Sequence, residues 1–550
     1  MVGLLVAGYL IALGWQAWHV GLTFDEPAHM LDAYLYWLGQ PDLSPRDFTP
    51  LIKILTGWIP RILEIPLFPE LPVWKNDWKQ DVASEILDRL RPDQIQKLFF
   101  LMRLVLIIFP ISTALLIWHW GRKLFGRVPA LLLLTAVLMP TALAHGCLLK
   151  NDLAAAFSYL LCAYCGWRLW LEPGWRTSLL LGGSVLLAML AKMSLLVTGP
   201  MAFLLVVARR IGSPRPRLRW LGLALGAVLL ITYLGLLAAY KFDAHPATLE
   251  ELAEMRAGGV FSEAVTGRTG VFGWIPLPSD LLSGVRSLSL YQEHGAPGYL
   301  LGEALSSGRW SYYPLALMVK TPIAVQILFV GGAVLLSARC WRRKAVAADG
   351  FLLVPGILYL SLAMQSNLQL GVRLVLPCLP FALLVGGVAI ERGLQSPTGR
   401  AALTAVLLWM MVASVSIYPQ GISYFNEWAG GPGQGWKYLV DSNLDWGQNL
   451  PELADYVRRN RLQKLKLYYF GYDKLHRYGI EDRVERLAPP WGPDLVSGTR
   501  LVPSPGIYAV SATLLPGHFF DTPYRDYFLY FREREPEAKI GYSIFIYKVD

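Results

Sequence analysis

Charge is what this chain has least of. Only 16% of its 550 residues are Asp, Glu, Lys or Arg, against 54% hydrophobic residues, and mean hydropathy is +0.40. A soluble fold has too little interior to hide that much apolar surface, so an ordinary soluble globular protein is excluded and a membrane protein is implied. Cysteine too is sparse, five residues in all. Cys147, Cys162, Cys165, Cys340 and Cys378 all lie in or beside apolar runs, which excludes a disulfide framework in a water-facing region. Cys162 and Cys165 have CxxC spacing, but on an apolar helix that spacing places two small residues on one packing face. The net charge of +10 is scattered through short loops with no basic patch interleaved with aromatics, so nucleic acid is not an expected partner. The first twenty residues lack a basic start and a small-residue cleavage site, and are read as a retained helix.

Long apolar runs are what the chain does have. A hydrocarbon core about 30 Å thick takes roughly 20 helical residues. Runs near 2–20, 99–118, 127–145, 151–171, 178–191, 193–208, 219–240, 312–337, 351–365, 373–391 and 401–418 predict eleven spans, the fifth and sixth short. With a cytoplasmic N-terminus, every short inner loop is basic: Arg122, Lys123 and Arg127; Arg168 and Arg176; Arg209, Arg210, Arg215, Arg217 and Arg219; Arg339, Arg342, Arg343 and Lys344; Arg392 and Arg400. The same topology leaves 21–98, 241–311 and everything after about 419 outside. Segment 21–98 carries two periodic stretches, Pro27 to Leu38 and Pro50 to Leu63, each opened by a proline suited to a first helical turn. They predict helices lying on the membrane surface. The tail from 421 to 550 predicts a helix at 449–460 and strands at Lys464–Phe470, Gly506–Ser511 and Tyr542–Val549. A transmembrane catalytic domain over 1–420 and an extracytoplasmic α/β domain over 421–550 are expected.

Charges at the ends of apolar spans are costly and therefore candidate functional groups. On the outer face they gather: Asp25, Glu26 and His29 after span one, Lys53 in the second surface helix, and Lys150, Asn151 and Asp152 between spans three and four. Lys192 joins spans five and six, Lys320 lies inside the start of span eight, and Asn367, Gln369 and Arg373 precede span ten. Two acidic sites beside several cations, next to lipid, suit group transfer from a lipid phosphate: cations stabilise the departing phosphate while a carboxylate takes the proton of an attacking hydroxyl. Each residue has an alternative reading. Asp25 caps a helix, Glu26 favours a helix dipole, His29 packs, Asp152 caps span four, and the lysines snorkel. Arg373 suits bidentate phosphate contact or a boundary anchor. In DSNLDWGQNLPE, Asp441, Asn443, Asp445 and Glu452 fall at positions one, three, five and twelve of a calcium loop, although Trp446 stands where such loops need glycine; a capped turn is the alternative. Abundant Trp and Tyr suit sugar stacking or an interface belt.

TFDEPAHM after the first span, TPLIK, LKNDLAAAF, LAMLAKMSLLVTGP, YYPLALMVKTPIAV, LQLGVRLVLPCLPF and YFNEWAGGPGQGWKYLVDSNLDWGQNL together resemble the GT-C glycosyltransferases, specifically the protein O-mannosyltransferase and aminoarabinose-transferase branch. That resemblance implies a GT-C fold, a polyprenyl-phosphate sugar as donor, a protein or glycolipid acceptor, and an extracytoplasmic site in a multi-pass, bacterial-type membrane. It implies Asp25 as catalytic base, with Glu26 and Asp152 placing the acceptor or a divalent cation. Lys320, Arg373, Lys53, His29 and Lys192 would hold the donor phosphate, and Asn151, Asn367 and Gln369 would position the acceptor. The chain departs from the family pattern at Thr49, where a histidine is usual, and at Asn151-Asp152, often a pair of acids. A lipid or solute transporter is the rival class, although no related halves with broken helices are evident.

Overall fold

A computed structural model describes residues 1–550 except 41–48, 76–78, 212–217, 258–272, 343, 345 and 492–497. Arg215, Arg217 and Arg343 of the basic loops lie outside the described residues. The chain is a bundle of apolar helices with a small α/β sheet region at its C-terminal end, the architecture that hydropathy and periodicity imply.

Each of the eleven apolar runs is helical. They appear as α1 (Val2–His19), the pair α6 (Pro92–Leu106) and α7 (Ile108–Phe125), and α8 (Arg127–Ala136) with α9 (Pro140–Gly146). Next come α10 (Asp152–Leu171), α11 (Trp175–Ala191), α12 (Thr198–Ile211) and α13 (Leu218–Ala239), followed by helices Ile323–Trp341, Ala347–Met364, Leu379–Gly393 and Pro397–Ile417. Among the described residues, seven helices are long and apolar enough to cross a membrane, or eight if α8 and α9, bent by 68° at Pro140, count as one. Helices α11 and α12 are apolar but shorter than a full span. Peripheral and central helices separate by burial. The span Val372–Gly393 is 78% buried, whereas Val2–His19 is 22% buried, with Leu4 and Ile11 turned outward as lipid-facing residues should be.

One expected element is corrected. The run 312–337 is not a single span: Pro322 cannot donate into a helix and pushes Thr321 into extended backbone, so helix Tyr312–Lys320 ends and a new helix starts at Ile323. Lys320 therefore sits at the end of a short helix, not inside a membrane span.

Outside the bundle lie α2 (Glu26–Leu38), α3 (Pro50–Thr56), α4 (Trp58–Ile62) and α5 (Lys79–Arg89). The second expected surface helix is split at Gly57. A Cβ there would lie 1.9 Å from the Ala33 carbonyl oxygen, so glycine lets α3 and α4 press onto α2. A buried ion pair, Lys79 to Asp32 at 2.9 Å, ties α5 to α2. Two ladders of two strands follow in the second outer segment: β1 (Ala244–His245) with β2 (Leu277–Pro278), and β3 (Gly298–Leu300) with β4 (Glu303–Leu305).

The tail first crosses back over the bundle in short 3-10 turns, then forms helix Leu450–Arg459 and strands β5 (Leu465–Tyr468), β6 (Val484–Leu487), β7 (Gly506–Ser511), β8 (Ala538–Ile540) and β9 (Ile544–Val549). The sheet order is β6-β5-β7-β9-β8. Strands β6, β5 and β7 run parallel; β9 is antiparallel to both β7 and β8. Leu453 and Val457 of the helix pack with Leu465, Leu467 and Ile546 in a core of their own.

A candidate active site at one end of the bundle

The turn from α1 into α2 places two adjacent carboxylates in opposite circumstances. Glu26 points inward and is fully buried. Its Oε1 accepts from Arg103 Nε at 2.7 Å and the Leu149 N–H at 2.8 Å; Oε2 accepts from Arg103 Nη2 at 2.6 Å, the Thr23 N–H at 2.9 Å and Thr23 Oγ1 at 3.1 Å. Arg103 spends its remaining N–H groups on the carbonyls of Ala17, Val20 and Gly21. Every hydrogen-bonding position of this pair is taken, so Glu26 fixes the turn and has no lone pair left for a substrate.

Asp25 points the other way, and its side chain is 20% exposed. Two cations converge on one of its oxygens: Lys150 Nζ lies 2.7 Å and an Arg373 Nη 3.3 Å from Oδ2. Among the described residues, Oδ1 has no hydrogen-bond partner. Burial pushes the Asp25 carboxyl up, but Lys150 first and then Arg373 outweigh it and hold it down at about 2. Lys150 Nζ also lies 2.8 Å from His29 Nε2. Burial and the neighbouring ammonium push His29 down to about 3, so it is a neutral acceptor of the Lys150 proton.

Trp446 is the platform under both cations. Its buried ring lies 4.4 Å from the Arg373 guanidinium carbon and 5.1 Å from Lys150 Nζ, a cation–π arrangement with both. Arg373 Nε donates to Ser442 Oγ at 3.1 Å. Gly371 makes this approach possible: at φ +131° a Cβ would sit 2.4 Å from Ser442 Oγ. Beside this cluster Lys192 Nζ binds Asp152 Oδ1 at 2.5 Å, and among the described residues Asp152 Oδ2 is buried without a partner. Asp441 completes the ring of charge. Burial first, then Asp25 against the pull of Arg373, moves its carboxyl up to about 7.

The structure thus brings together Asp25, His29, Lys150, Asp152, Lys192 and Arg373, drawn from four separate stretches of chain. Other expected site residues lie elsewhere. All three donors of Lys320 go to backbone carbonyls, those of Ile422, Tyr424 and Asn443, so this ammonium clamps the tail onto the bundle and has none left for phosphate. Asn367 accepts from the Gly308 N–H at 3.0 Å and donates to the Gln292 carbonyl at 2.5 Å; Gln369 donates to the Arg309 carbonyl at 2.7 Å. Both staple the second outer segment to the bundle. Lys53 is buried, and among the described residues its ammonium has no partner. Asn151 precedes α10 without a side-chain capping bond.

The calcium-loop expectation is corrected. Asn443 Oδ1 accepts from the Val372 N–H, Asp445 accepts from the Gly447 and Thr513 N–H groups, and Glu452 accepts from Gln420. Asp441, the first position, faces Arg373 instead. The four side chains serve four separate networks, and among the described residues no group of three or more His, Cys, Asp or Glu side chains is placed to hold a metal ion.

Three contributors escaped the sequence reading. Arg103 was hidden inside an apolar run, although a charge there is itself a signal. Lys150 stood among the outer charges without a role. Trp446 stands out in the sequence only as the residue where a calcium loop needs glycine.

No family model and no curated protein matches the chain. Among solved structures it is similar to the aminoarabinose transferase ArnT from Cupriavidus metallidurans bound to undecaprenyl phosphate, with TM-score 0.47 and 11% identity over 99% of this chain and 97% of that one. It is also similar to the apo oligosaccharyltransferase of Archaeoglobus fulgidus, with TM-score 0.42 and 11% identity over 87% of this chain and 64% of that one.

Proposed function

We propose that this chain is an integral membrane glycosyltransferase of the GT-C type, moving a sugar from a polyprenyl-phosphate donor to a hydroxyl acceptor on the extracytoplasmic side, with inversion at the anomeric carbon. The observation that carries the reading is the convergence of Lys150 and Arg373 on Oδ2 of a partly exposed Asp25 while Oδ1 stays open. Two cations at one edge of the bundle suit a phosphodiester arriving from the lipid, and guanidinium geometry suits its oxygens in particular.

In this scheme the donor phosphate displaces the Asp25 carboxylate from its two cations. Stripped of them, Asp25 becomes more basic. The acceptor hydroxyl oxygen attacks the anomeric carbon, its proton passes to Asp25, and the bond from that carbon to the phosphate oxygen breaks. The electron pair leaves with the polyprenyl phosphate, whose charge Lys150 and Arg373 neutralise. His29, neutral, accepts from Lys150 and aims it. Lys192 is held by Asp152 at the rim. The order of events matches the charges present: the base is masked until the donor is bound, which suppresses reaction of an empty site.

The experiment is turnover of a radiolabelled polyprenyl-phosphate sugar by the purified chain. Asp25→Asn is expected to lower kcat by about 10²–10⁴-fold, the usual worth of a positioned base. Turnover within a few-fold of the parent would overturn the assignment.

A further inference from the structure

The segments that follow the parallel strands β5 and β6 run toward α5, where Tyr472 and Lys474 bond to Asp81 and Asp88. In α/β sheets the carboxyl ends of parallel strands are where loops diverge and leave a crevice for a ligand. A cleft of about 650 Å³ lies there, lined by the segments after β5 and β6 together with Phe24 and Asp81. That volume falls within the roughly 300–1,000 Å³ of small-molecule sites.

The lining is aromatic with a polar rim. Phe24 stacks on Phe470 at 4.7 Å between ring centroids, and Tyr472 meets Phe24 edge-on at 4.9 Å. Trp491, 48% exposed, closes one end. At the rim Arg486 donates to the Gly471 carbonyl at 2.6 Å, and Asp81 accepts from the Tyr472 hydroxyl at 3.3 Å. One guanidinium and one carboxylate thus face a wall of rings.

The cleft adjoins the charged site through Phe24, which lines the cleft and is the chain neighbour of Asp25. The Phe24 N–H donates to the Trp446 carbonyl at 2.8 Å, so one residue spans the distance between the cleft wall and Asp25, and the same Trp446 carries both cations on its ring.

We propose that this cleft binds the saccharide portion of the acceptor, so that the acceptor is a carbohydrate-bearing molecule whose free hydroxyl is delivered to Asp25. Sugar rings present C–H faces that pack on aromatic faces, while their hydroxyls pair with donors such as Arg486 and acceptors such as Asp81. A peptide adding as a strand needs an open ladder edge. Here most of the lining lies beyond the strand ends, and Pro489 offers no N–H. The inference rests on the glycosyltransferase reading but is separable from it by experiment.

The test is binding of the full chain in detergent to an array of hexose, hexosamine and heptose oligosaccharides, run beside an array of unmodified Ser/Thr peptides. Oligosaccharide binding is expected, about tenfold weaker in Trp491→Ala, the worth of one aromatic contact. Trp491→Phe should restore most of it, which separates ring contact from misfolding, and Asp25→Asn should keep it. Failure of turnover in the parent would sink the transferase reading, whereas the array alone decides the cleft. Binding to peptides only, no glycan binding, or glycan binding indifferent to Trp491→Ala would each overturn the proposal.

Discussion

A carboxylate whose lone pairs are all engaged cannot take up a proton without breaking the network that holds it. That separates Glu26 from Asp25 more sharply than their adjacency suggests. Removing Glu26 strands the Arg103 guanidinium in a buried pocket, and breaking such a pair costs about 3–5 kcal/mol. Glu26→Ala is therefore expected to lower the unfolding temperature of the detergent-solubilised protein markedly; an unchanged melting curve would mean the pair is not structural. Asp441 carries a pH effect. Its carboxyl rises from 3.8 to about 7 in the fold, so the protonated form is favoured by folding. The stability that this provides is complete below the unfolded value and is lost as pH rises through about 7. Asp441→Asn should flatten that decline, read from melting temperatures between pH 4 and 8. The pairing of Asp25 with cations is legible as clustered charge; the satisfaction of Glu26 is not, because three of its five donors come from Arg103 and Leu149, far away in sequence.

Elements placed these side chains, and their breaks mattered more than their lengths. Helical periods and proline positions located every apolar run and both outer helical stretches, since those signals are local. The interruption at Pro322 is equally local, but apolarity continues across it, and that continuity is what makes Lys320 read as a charge inside a span. Its three carbonyl partners lie more than 100 positions away in the tail, a relation that no window of sequence contains. The tail is expected to depend on that clamp. Lys320→Met would leave buried carbonyls unpaired at about 1–3 kcal/mol each; limited proteolysis should then release the segment after residue 420 at protease levels that spare the parent. Equal resistance would remove the clamp from the account. Gly371→Ala, at φ +131° and against Ser442, should weaken phosphate-lipid binding by shifting Arg373, with folding retained in size-exclusion profiles.

Across the whole molecule, the sorting of basic loops to one side left the costly charges on the other, and the fold drew six of them into one cluster. Topology alone accomplishes that sorting, which is why Asp25, His29, Asp152, Lys192 and Arg373 stand out as candidates in the sequence itself. What topology does not contain is the tail folding back: Gly21 and Phe24 donate to the carbonyls of Gln448 and Trp446, and Leu22 donates to Asp473. The tail thereby forms one wall of the site. The central claim is that Asp25 occupies the phosphate's cations until the donor arrives. It is tested most directly by measuring the affinity of Asp25→Asn for radiolabelled polyprenyl phosphate beside its turnover of the sugar-loaded donor. With the competing carboxylate neutralised, the account predicts binding at least as tight as in the parent while turnover collapses. Binding lost together with turnover would contradict it.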